Sequence, residues 1–204
     1  MQRIVTAQPV LWRRLDVPGH DAATLQISPG GAVLSGMAVF DEGGPTALAY
    51  VVEADRDWQT TAAFVRGWRG RQSVDLRLRR DSAGTWTLND TTCPTLQGCI
   101  DLDLSFTPAT NLLPLRRLAL GVGHSAEVRS AWLEWPEIRL TPLVQRYLRR
   151  SETEYEYEAD LPGVKPFRSK LRVQPEGWVL DYAGLWQAEA DIRPSAASPA
   201  RQAR

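Results

Sequence analysis

Apolar and polar residues alternate through the segment Val74-Asp75-Leu76-Arg77-Leu78-Arg79. A period of two places its three apolar side chains on one face of an extended chain, which is the pattern of a half-buried β-strand. The segment Asp81-Ser82-Ala83-Gly84 has the composition of a turn, and Trp86 and Leu88 then begin a second alternation. Residues 74–88 therefore predict a β-hairpin with one apolar face.

The same period recurs along most of the chain. It is found in residues 100–106, 131–135, 154–158, 171–173 and 178–182, with turn residues between these segments. The best helical pattern is a short one near Thr110–Leu118, where Pro108 and Pro114 limit its length. Many short alternating segments with few short helices predict an all-β fold, built as an antiparallel sheet, sandwich or barrel.

The composition is that of a globular domain with balanced charge. The 204 residues are 43% hydrophobic, and Lys+Arg 24 balance Asp+Glu 24. This balance removes the general electrostatic attraction on which nucleic-acid binding rests, so we expect no nucleic-acid partner. The N-terminal residues have neither a signal-peptide nor an anchor pattern, and no apolar run reaches the roughly 18 residues of a membrane span. We expect a cytoplasmic protein without a membrane span.

The length of the chain fits one large domain or two small ones. We expect residues 1–187 to form a single β-barrel-like unit. The segment Glu53-Ala54-Asp55 has a counterpart in Glu158-Ala159-Asp160, and each is followed by a strand pattern, a Gly-containing turn and a Trp. This similarity indicates either two related half-sheets in one shell or a coincidence. Residues 188–204 are mainly Ala, Ser, Pro and Arg with little to bury, which predicts a disordered tail.

The sequence contains no recognisable catalytic or metal-binding motif. Cys93 and Cys99 have neither zinc-type nor redox-motif spacing, and His20 and His124 lie far apart. We therefore expect free thiols, no metal and no cofactor. No nucleophile–His–acid arrangement or Gly-rich phosphate loop occurs either. The carboxylates that an enzyme could use as an acid–base pair are Asp55, Asp57, Asp101 and Asp103.

Eight tryptophans are spread over the whole chain. A Trp side chain buries a large apolar area and can still place its N–H on a polar partner. The tryptophans indicate either a β-core filled with large side chains or the wall of an amphipathic ligand cavity.

Polar residues are densest in residues 99–118. Asp101 and Asp103 share one face of the predicted strand in this segment, and the pair Arg116 and Arg117 follows. The arginines either pair with these aspartates across the sheet or join neighbouring hydroxyl and amide groups in a polar cluster. Such a cluster suits the sugar or phosphate head group of a ligand with an apolar tail.

Several motifs together resemble one known family. They are Tyr50-Val51-Val52, Asp55, Trp58-Gln59-Thr60, Gly84–Trp86, Cys99–Leu118, Trp135-Pro136, Gln145-Arg146-Tyr147 and Gly177–Trp186. Over about residues 10–186 the sequence resembles the bacterial family described as "putative glycolipid-binding". The resemblance implies a large antiparallel sheet curved into a split or half barrel, similar to carriers of lipoproteins and glycolipids. It carries over no established binding or catalytic residue.

We therefore expect a protein that is not an enzyme and that binds an amphipathic lipid or glycolipid in an apolar cavity with a polar rim. Burying ten methylenes at about 0.8 kcal/mol each gives roughly 8 kcal/mol, so an acyl chain alone could hold such a ligand. The alternatives are an enzyme with paired carboxylates and a structural or interaction shell without a small ligand.

The expected site lies where the strand of residues 100–106 ends. Because Thr107-Pro108 ends this strand, we expect the polar residues that follow to lie at the rim, with Asn111 and Arg116 at the mouth of the cavity. The candidate ligand-binding residues are Tyr50, Trp58, Thr110, Asn111, Arg116, Arg117, Gln145 and Tyr182.

Overall fold

The computed structural model describes residues 5–6, 9–163 and 165–189 of the chain. The strands are β1 (Val5–Thr6), β2 (Val10–Arg14), β3 (Gly19–Ser28), β4 (Gly31–Asp41), β5 (Pro45–Ala54), β6 (Thr60–Arg69), β7 (Gln72–Arg80), β8 (Trp86–Leu88), β9 (Thr91–Thr92), β10 (Asp101–Leu104), β11 (Ser125–Glu134), β12 (Arg139–Arg149), β13 (Glu154–Ala159), β14 (Phe167–Val173), β15 (Val179–Tyr182) and β16 (Trp186–Ala188). The helical elements are the 3₁₀ turns Pro94–Leu96 and Ala109–Asn111 and the helix α1 (Leu112–Leu118). No helix in the described part of the chain has the length and hydropathy needed to cross a bilayer.

Fifteen of the described strands lie side by side in one open sheet, and β1 pairs with β3 beside them. The order across the sheet is β10-β11-β12-β13-β14-β15-β16-β2-β3-β4-β5-β6-β7-β8-β9. β16, the last described strand, pairs with β2, which lies near the start of the sequence. The edges of the sheet are β9 and β10. The expected all-β fold with a large curved sheet and few short helices is confirmed.

One strand pairing differs from the expected antiparallel arrangement. β10 runs parallel to β11, with Leu102 opposite Ala131. The other pairings of the described strands are antiparallel. Parallel neighbours need a crossover connection, and α1 supplies it between these two strands. Alternation alone could not reveal this pairing, because its period is two in parallel and antiparallel strands alike.

The edge strand β10 is tied to the far side of the sheet. The backbone N–H of Thr60 donates to the carbonyl of Ile100 at 3.3 Å. The backbone N–H of Leu102 donates to the Thr60 hydroxyl at 3.1 Å. The indole N–H of Trp86 donates to the carbonyl of Cys99 at 3.0 Å. These bonds use backbone N–H and C=O groups that, at an exposed edge, would be free to pair with a strand of another chain.

Alternation along the strands divides the sheet into a buried inner face and an outer face. In β5, Leu48, Tyr50 and Val52 point inward and are at most 1% exposed, whereas Ala49 points outward. Because the inner side chains form a single core cluster, the whole sheet packs around one interior.

Most of the tryptophans belong to this core. Trp12, Trp86 and Trp178 are fully buried, whereas Trp68 lies on the outer face. The rings of Trp12 and Trp178 pack edge to face, with centroids 5.6 Å apart. This packing favours the interpretation of the tryptophans as large core side chains.

The interior is filled by residues 105–118, which we call the internal segment. The ring of Phe106 lies 6.3 Å from that of Phe40, 6.0 Å from that of Tyr50 and 5.9 Å from that of Trp135. The first two leucines of α1 are also fully buried. The helix predicted near residues 110–118 is present, and it lies inside the shell.

The two similar segments match in part. β7–β8 and β14–β15 are both antiparallel hairpins, and Trp86 and Trp178 are both buried. However, β6 lies between β5 and β7, whereas β13 pairs directly with β14. The similarity is thus confined to one hairpin of a continuous sheet. The tail predicted for residues 188–204 lies outside the described residues, apart from Ala188 at the end of β16 and Glu189.

Replacing Phe106 by Ala tests the role of the internal segment. A buried Phe-to-Ala change costs about 3–5 kcal/mol, so we expect the free energy of unfolding in urea to fall by that amount. Val122→Ala, at a side chain that is 47% exposed, is the control and should change this free energy by less than about 0.5 kcal/mol. A loss below about 1 kcal/mol for Phe106→Ala would contradict the filling role of this ring.

Candidate functional site

Tyr50 and Thr107 bind a buried carboxylate. The Tyr50 hydroxyl donates to Oδ2 of Asp21 at 2.8 Å, and the Thr107 hydroxyl donates to the same oxygen. Burial raises the pKa of the Asp21 carboxyl to about 6, although these two hydrogen bonds oppose the shift. Burial and the nearby Asp21 charge also raise the pKa of Tyr50 well above its ordinary value. Tyr50 thus joins the internal segment to the sheet and has no surface for a ligand.

Gln145 forms a second buried polar cluster. Its Nε2 donates to Oδ2 of Asp103 at 2.6 Å and to the hydroxyl of Tyr157 at 2.8 Å, and its Oε1 accepts from Ser130 at 2.7 Å. Burial raises the pKa of Asp103 to about 6, with the Gln145 amide opposing. Tyr182 packs against Tyr157 with ring centroids 5.7 Å apart. Gln145 and Tyr182 are therefore close together, on the inner face.

Thr110 and Asn111 lie in the core and not at a rim. They are 1% and 7% exposed. The Thr110 hydroxyl accepts from the backbone N–H of Leu104 at 3.3 Å, and Oδ1 of Asn111 accepts from the Tyr147 hydroxyl at 3.1 Å. The empty space beside them, about 140 Å³, is too narrow to admit a water molecule. The expected rim position was wrong because the chain turns inward after Pro108 instead of leaving the sheet.

Arg117 pairs with Asp101. Its Nη2 lies 2.6 Å from Oδ2 of Asp101, and its Nε lies 3.1 Å from Oδ1. The Asp101 side chain is 0% exposed and that of Arg117 is 18% exposed. Burial raises the pKa of Asp101, and the guanidinium opposes this shift. Arg117 therefore fits the interpretation in which the arginines pair with the aspartates, and not the one in which they join a ligand-binding cluster.

Arg116 takes a different position, above Trp58. Its Cζ lies 5.2 Å from the centre of the Trp58 ring, a cation–π distance. Its Nε is buried without a hydrogen-bond partner among the described residues. Burial lowers the pKa of Arg116, with Glu176 opposing. Trp58 itself has a φ of 62°, a conformation that is costly for a bulky residue and is held by the surrounding turn.

The eight candidate residues thus fall into separate groups. The structure brings Arg116 to Trp58 and Gln145 to Tyr182. Thr110 and Asn111 are neighbours in the core. The eight residues therefore do not line one common site.

Three of the four candidate carboxylates, Asp55, Asp101 and Asp103, each have a different hydrogen-bond partner. Asp101 binds Arg117, and Asp103 accepts from Gln145. Oδ1 of Asp55 accepts the backbone N–H groups of its own turn at 2.9 Å. These contacts give Asp55, Asp101 and Asp103 structural roles.

A groove of about 940 Å³ crosses the outer face of β11–β14. We call it the outer groove. It is lined by residues 125–127, 146–148, 156–158 and 168–170 and by Ala183. Each of these four ranges has three residues. The strand register places the four middle residues in one row, and their side chains point away from the groove. The flanking side chains form two walls, which are Glu127, Arg146, Glu158 and Arg168 on one side and Ser125, Leu148, Glu156 and Lys170 on the other.

Opposite charges alternate along the first wall. Arg146 lies 3.0 Å from Glu127 and 3.1 Å from Glu158, and Arg168 lies 2.6 Å from Glu158. None of the eight candidate side chains belongs to a wall. The sequence did show the alternating glutamates of residues 154–158, but the groove depends on the register of four strands, which alternation does not specify.

Arg117→Gln tests whether the buried ion pair is structural. Removing one partner leaves the Asp101 charge buried, which costs about 3–5 kcal/mol. We expect a loss of this size in the free energy of unfolding. The control is Arg77→Gln, because Arg77 pairs with Asp90 at 3.2 Å on the surface and such pairs contribute only about 0–1 kcal/mol. Equal losses in the two variants would contradict a structural role of the Arg117–Asp101 pair.

Asp21 and Asp103, whose pKa values burial raises to about 6, each contribute a loss of stability as the pH rises. Folding raises the pKa of Asp21 and Asp103 from 3.8 to about 6, so between about pH 4 and pH 6 the folded state binds more protons than the unfolded state. Through this range, each of these two carboxyls should contribute a decrease of about 1–3 kcal/mol to the free energy of unfolding. Asp103→Asn keeps the hydrogen bond from Gln145 and should show a shallower decrease. Equal slopes for this variant and the unchanged chain would contradict the raised pKa of Asp103.

Comparison with known proteins gives two matches of different kinds. The model of the family described as "Putative glycolipid-binding" matches residues 9–188. The crystal structure of a DUF1089 family protein from Pseudomonas aeruginosa is 32% identical, covers 82% of this chain and 91% of its own, and superposes with a TM-score of 0.69. No curated protein shows a significant match. Because the family model spans nearly the whole described sheet, the chain belongs to the family described as putative glycolipid-binding.

Proposed function

We propose that the protein binds an amphipathic glycolipid without catalysing a reaction, and that the outer groove receives the polar head group. The size and chemistry of the groove carry this proposal. Its volume of about 940 Å³ falls in the range of about 300–1,000 Å³ that is typical of small-molecule sites. The family description supports a glycolipid as the class of ligand.

The charges on the groove walls favour an uncharged head group. Three carboxylates and three cations line the groove, namely Glu127, Glu156, Glu158, Arg146, Arg168 and Lys170, so their formal charges cancel. Sugar hydroxyls both donate and accept hydrogen bonds and can therefore bind guanidinium and carboxylate groups side by side. An anionic head group would meet as much repulsion as attraction there.

The groove also offers apolar surface. Leu148 projects from the second wall, and the alkyl stems of Arg146 and Lys170 cover apolar surface while their charged ends stay in water. The first methylenes of a lipid tail can pack there. The interior offers no comparable space near Thr110 and Asn111, so the proposal places the ligand outside the shell.

Binding of n-octyl-β-D-glucopyranoside, measured by isothermal titration calorimetry below its micelle concentration, tests the proposal. Ser125→Trp places a bulky ring on one wall and should weaken binding about tenfold or more, which corresponds to a loss of at least about 1.4 kcal/mol. Arg168→Gln removes a cation whose side chain is 76% exposed and should weaken binding with little change in melting temperature. Arg77→Gln, an exposed arginine outside the groove, is the control and should bind as the unchanged chain does.

Three results would count against this assignment. Unchanged affinity in Ser125→Trp would exclude the outer groove. Loss of binding in Arg116→Ala, with binding kept in Ser125→Trp, would place the head group at the Arg116–Trp58 pair. If no alkyl glycoside binds and native mass spectrometry finds no co-purifying lipid, the proposed function itself is wrong.

A further inference from the structure

A second groove, of about 440 Å³, lies where the tip of the β6–β7 hairpin meets the turn between β11 and β12. We call it the hairpin groove. Its polar side chains are Arg69, Arg71, Gln72 and Ser73, and the described residues that line it include no Asp or Glu. In contrast to the outer groove, its charged lining is entirely cationic. It therefore favours an anion.

The two arginines provide the donors for such an anion. Nη2 of Arg69 donates to the carbonyl of Gly43 at 3.1 Å, which fixes the guanidinium and uses one of its five N–H donors. Arg71 is exposed at the tip of the hairpin. A planar guanidinium presents a fork of donors that matches two oxygens of a phosphate. On the opposite side of the groove, Trp135 has a buried indole N–H without a partner among the described residues.

An exposed apolar surface adjoins the hairpin groove. The register aligns Val39, Ala47 and Trp68 in one row across β4, β5 and β6, and Trp68 lies opposite Ser73 of the groove. Val39 is 52% exposed and Trp68 is 47% exposed. Met37, in the next row, is 56% exposed. These are three of the five large hydrophobic side chains exposed in the described part of the chain, so the apolar surface is concentrated beside the cationic groove.

We propose that the hairpin groove and this apolar row together dock the protein onto a lipid surface that carries anionic phosphate head groups. A bilayer presents phosphates and apolar chains at neighbouring depths, which matches arginines beside an exposed row of Val, Met and Trp. Trp is the side chain that favours the membrane–water interface. This inference concerns a different surface from the proposed glycolipid site and does not depend on it.

Flotation with phosphatidylcholine vesicles, with and without phosphatidylglycerol, is the experiment. We expect the protein to float with the anionic vesicles and to be released by added salt, because screening weakens attraction between exposed charges. Each arginine near an anionic surface strengthens binding roughly fivefold, so Arg69→Gln/Arg71→Gln should weaken binding about 25-fold. The matched control, Arg77→Gln/Arg79→Gln, removes two exposed arginines of β7 and should float as the unchanged chain does.

A second pair of variants tests the apolar row. Trp68→Ser should reduce flotation, whereas Val122→Ser, at a side chain that is equally 47% exposed, should not. If the Arg69→Gln/Arg71→Gln variant fails to fold, Arg71→Gln alone, which changes an exposed residue of the turn, replaces it in the flotation experiment. Binding of octyl glucoside by the Arg69→Gln/Arg71→Gln variant is measured in parallel, so that loss of docking can be told from loss of the glycolipid site.

Several results would overturn the docking proposal. Both lipids carry a phosphate, but vesicles without phosphatidylglycerol have no net charge, so equal binding to the two kinds of vesicle would show that the arginines do not recognise an anionic surface. Binding of inorganic phosphate at the same arginines, with no flotation, would identify a site for a free phosphate. A dimer in light scattering that Trp68→Ser converts to a monomer, again with no flotation, would identify the apolar row as a contact between copies.

Discussion

The space inside the curved sheet is the constraint on which the rest of the structure depends. The inward side chains of fifteen strands surround one interior, and residues 105–118 occupy it. A chain segment placed in an apolar interior brings polar groups with it, and each buried polar group needs a partner. The sheet supplies these partners: Asp21 accepts from Thr107, Tyr147 donates to Asn111 and Asp101 accepts from Arg117. The internal segment can therefore fill the core only if the sheet also provides partners for its polar groups.

This requirement explains why side chains that resemble a binding site are structural. Tyr, Asp, Asn, Gln and Arg are the residues that bind a sugar or phosphate, and they are also the residues that satisfy one another inside a protein. Gln145 shows the point most clearly, because three polar neighbours use its amide on the inner face. Once the internal segment occupies the interior, surface for a ligand of useful size remains on the outer face, where the flanking side chains of aligned strands project into solvent.

The sequence predicted those parts of the structure that depend on local pattern. The hairpin of residues 74–88, the short helix near residues 110–118 and the all-β class follow from period two, from turn residues and from the prolines. The inward path after Pro108 and the parallel pairing of β10 could not be predicted in this way. Alternation distinguishes the two faces of a strand but does not show what covers each face. For example, the Asp101 carboxylate can be buried because Arg117 pairs with it. The outer groove needs the register of four consecutive strands, and this register depends on the geometry of the turns between them as well as on the hydrophobic pattern.

A net charge of zero does not make the outer face uniform. Fixed charges act over about 8 Å at physiological ionic strength, so each surface responds to its own lining and not to the charge of the whole chain. Across β11–β14 the charges alternate and cancel within the groove, which suits a ligand rich in hydroxyl groups. At the tip of β6–β7 the charged lining is cationic and an apolar row adjoins it, which suits a phosphate at an apolar boundary. The two surfaces lie on different strands of one sheet, so a protein that binds a head group on one of them keeps the other free for contact with the lipid surface.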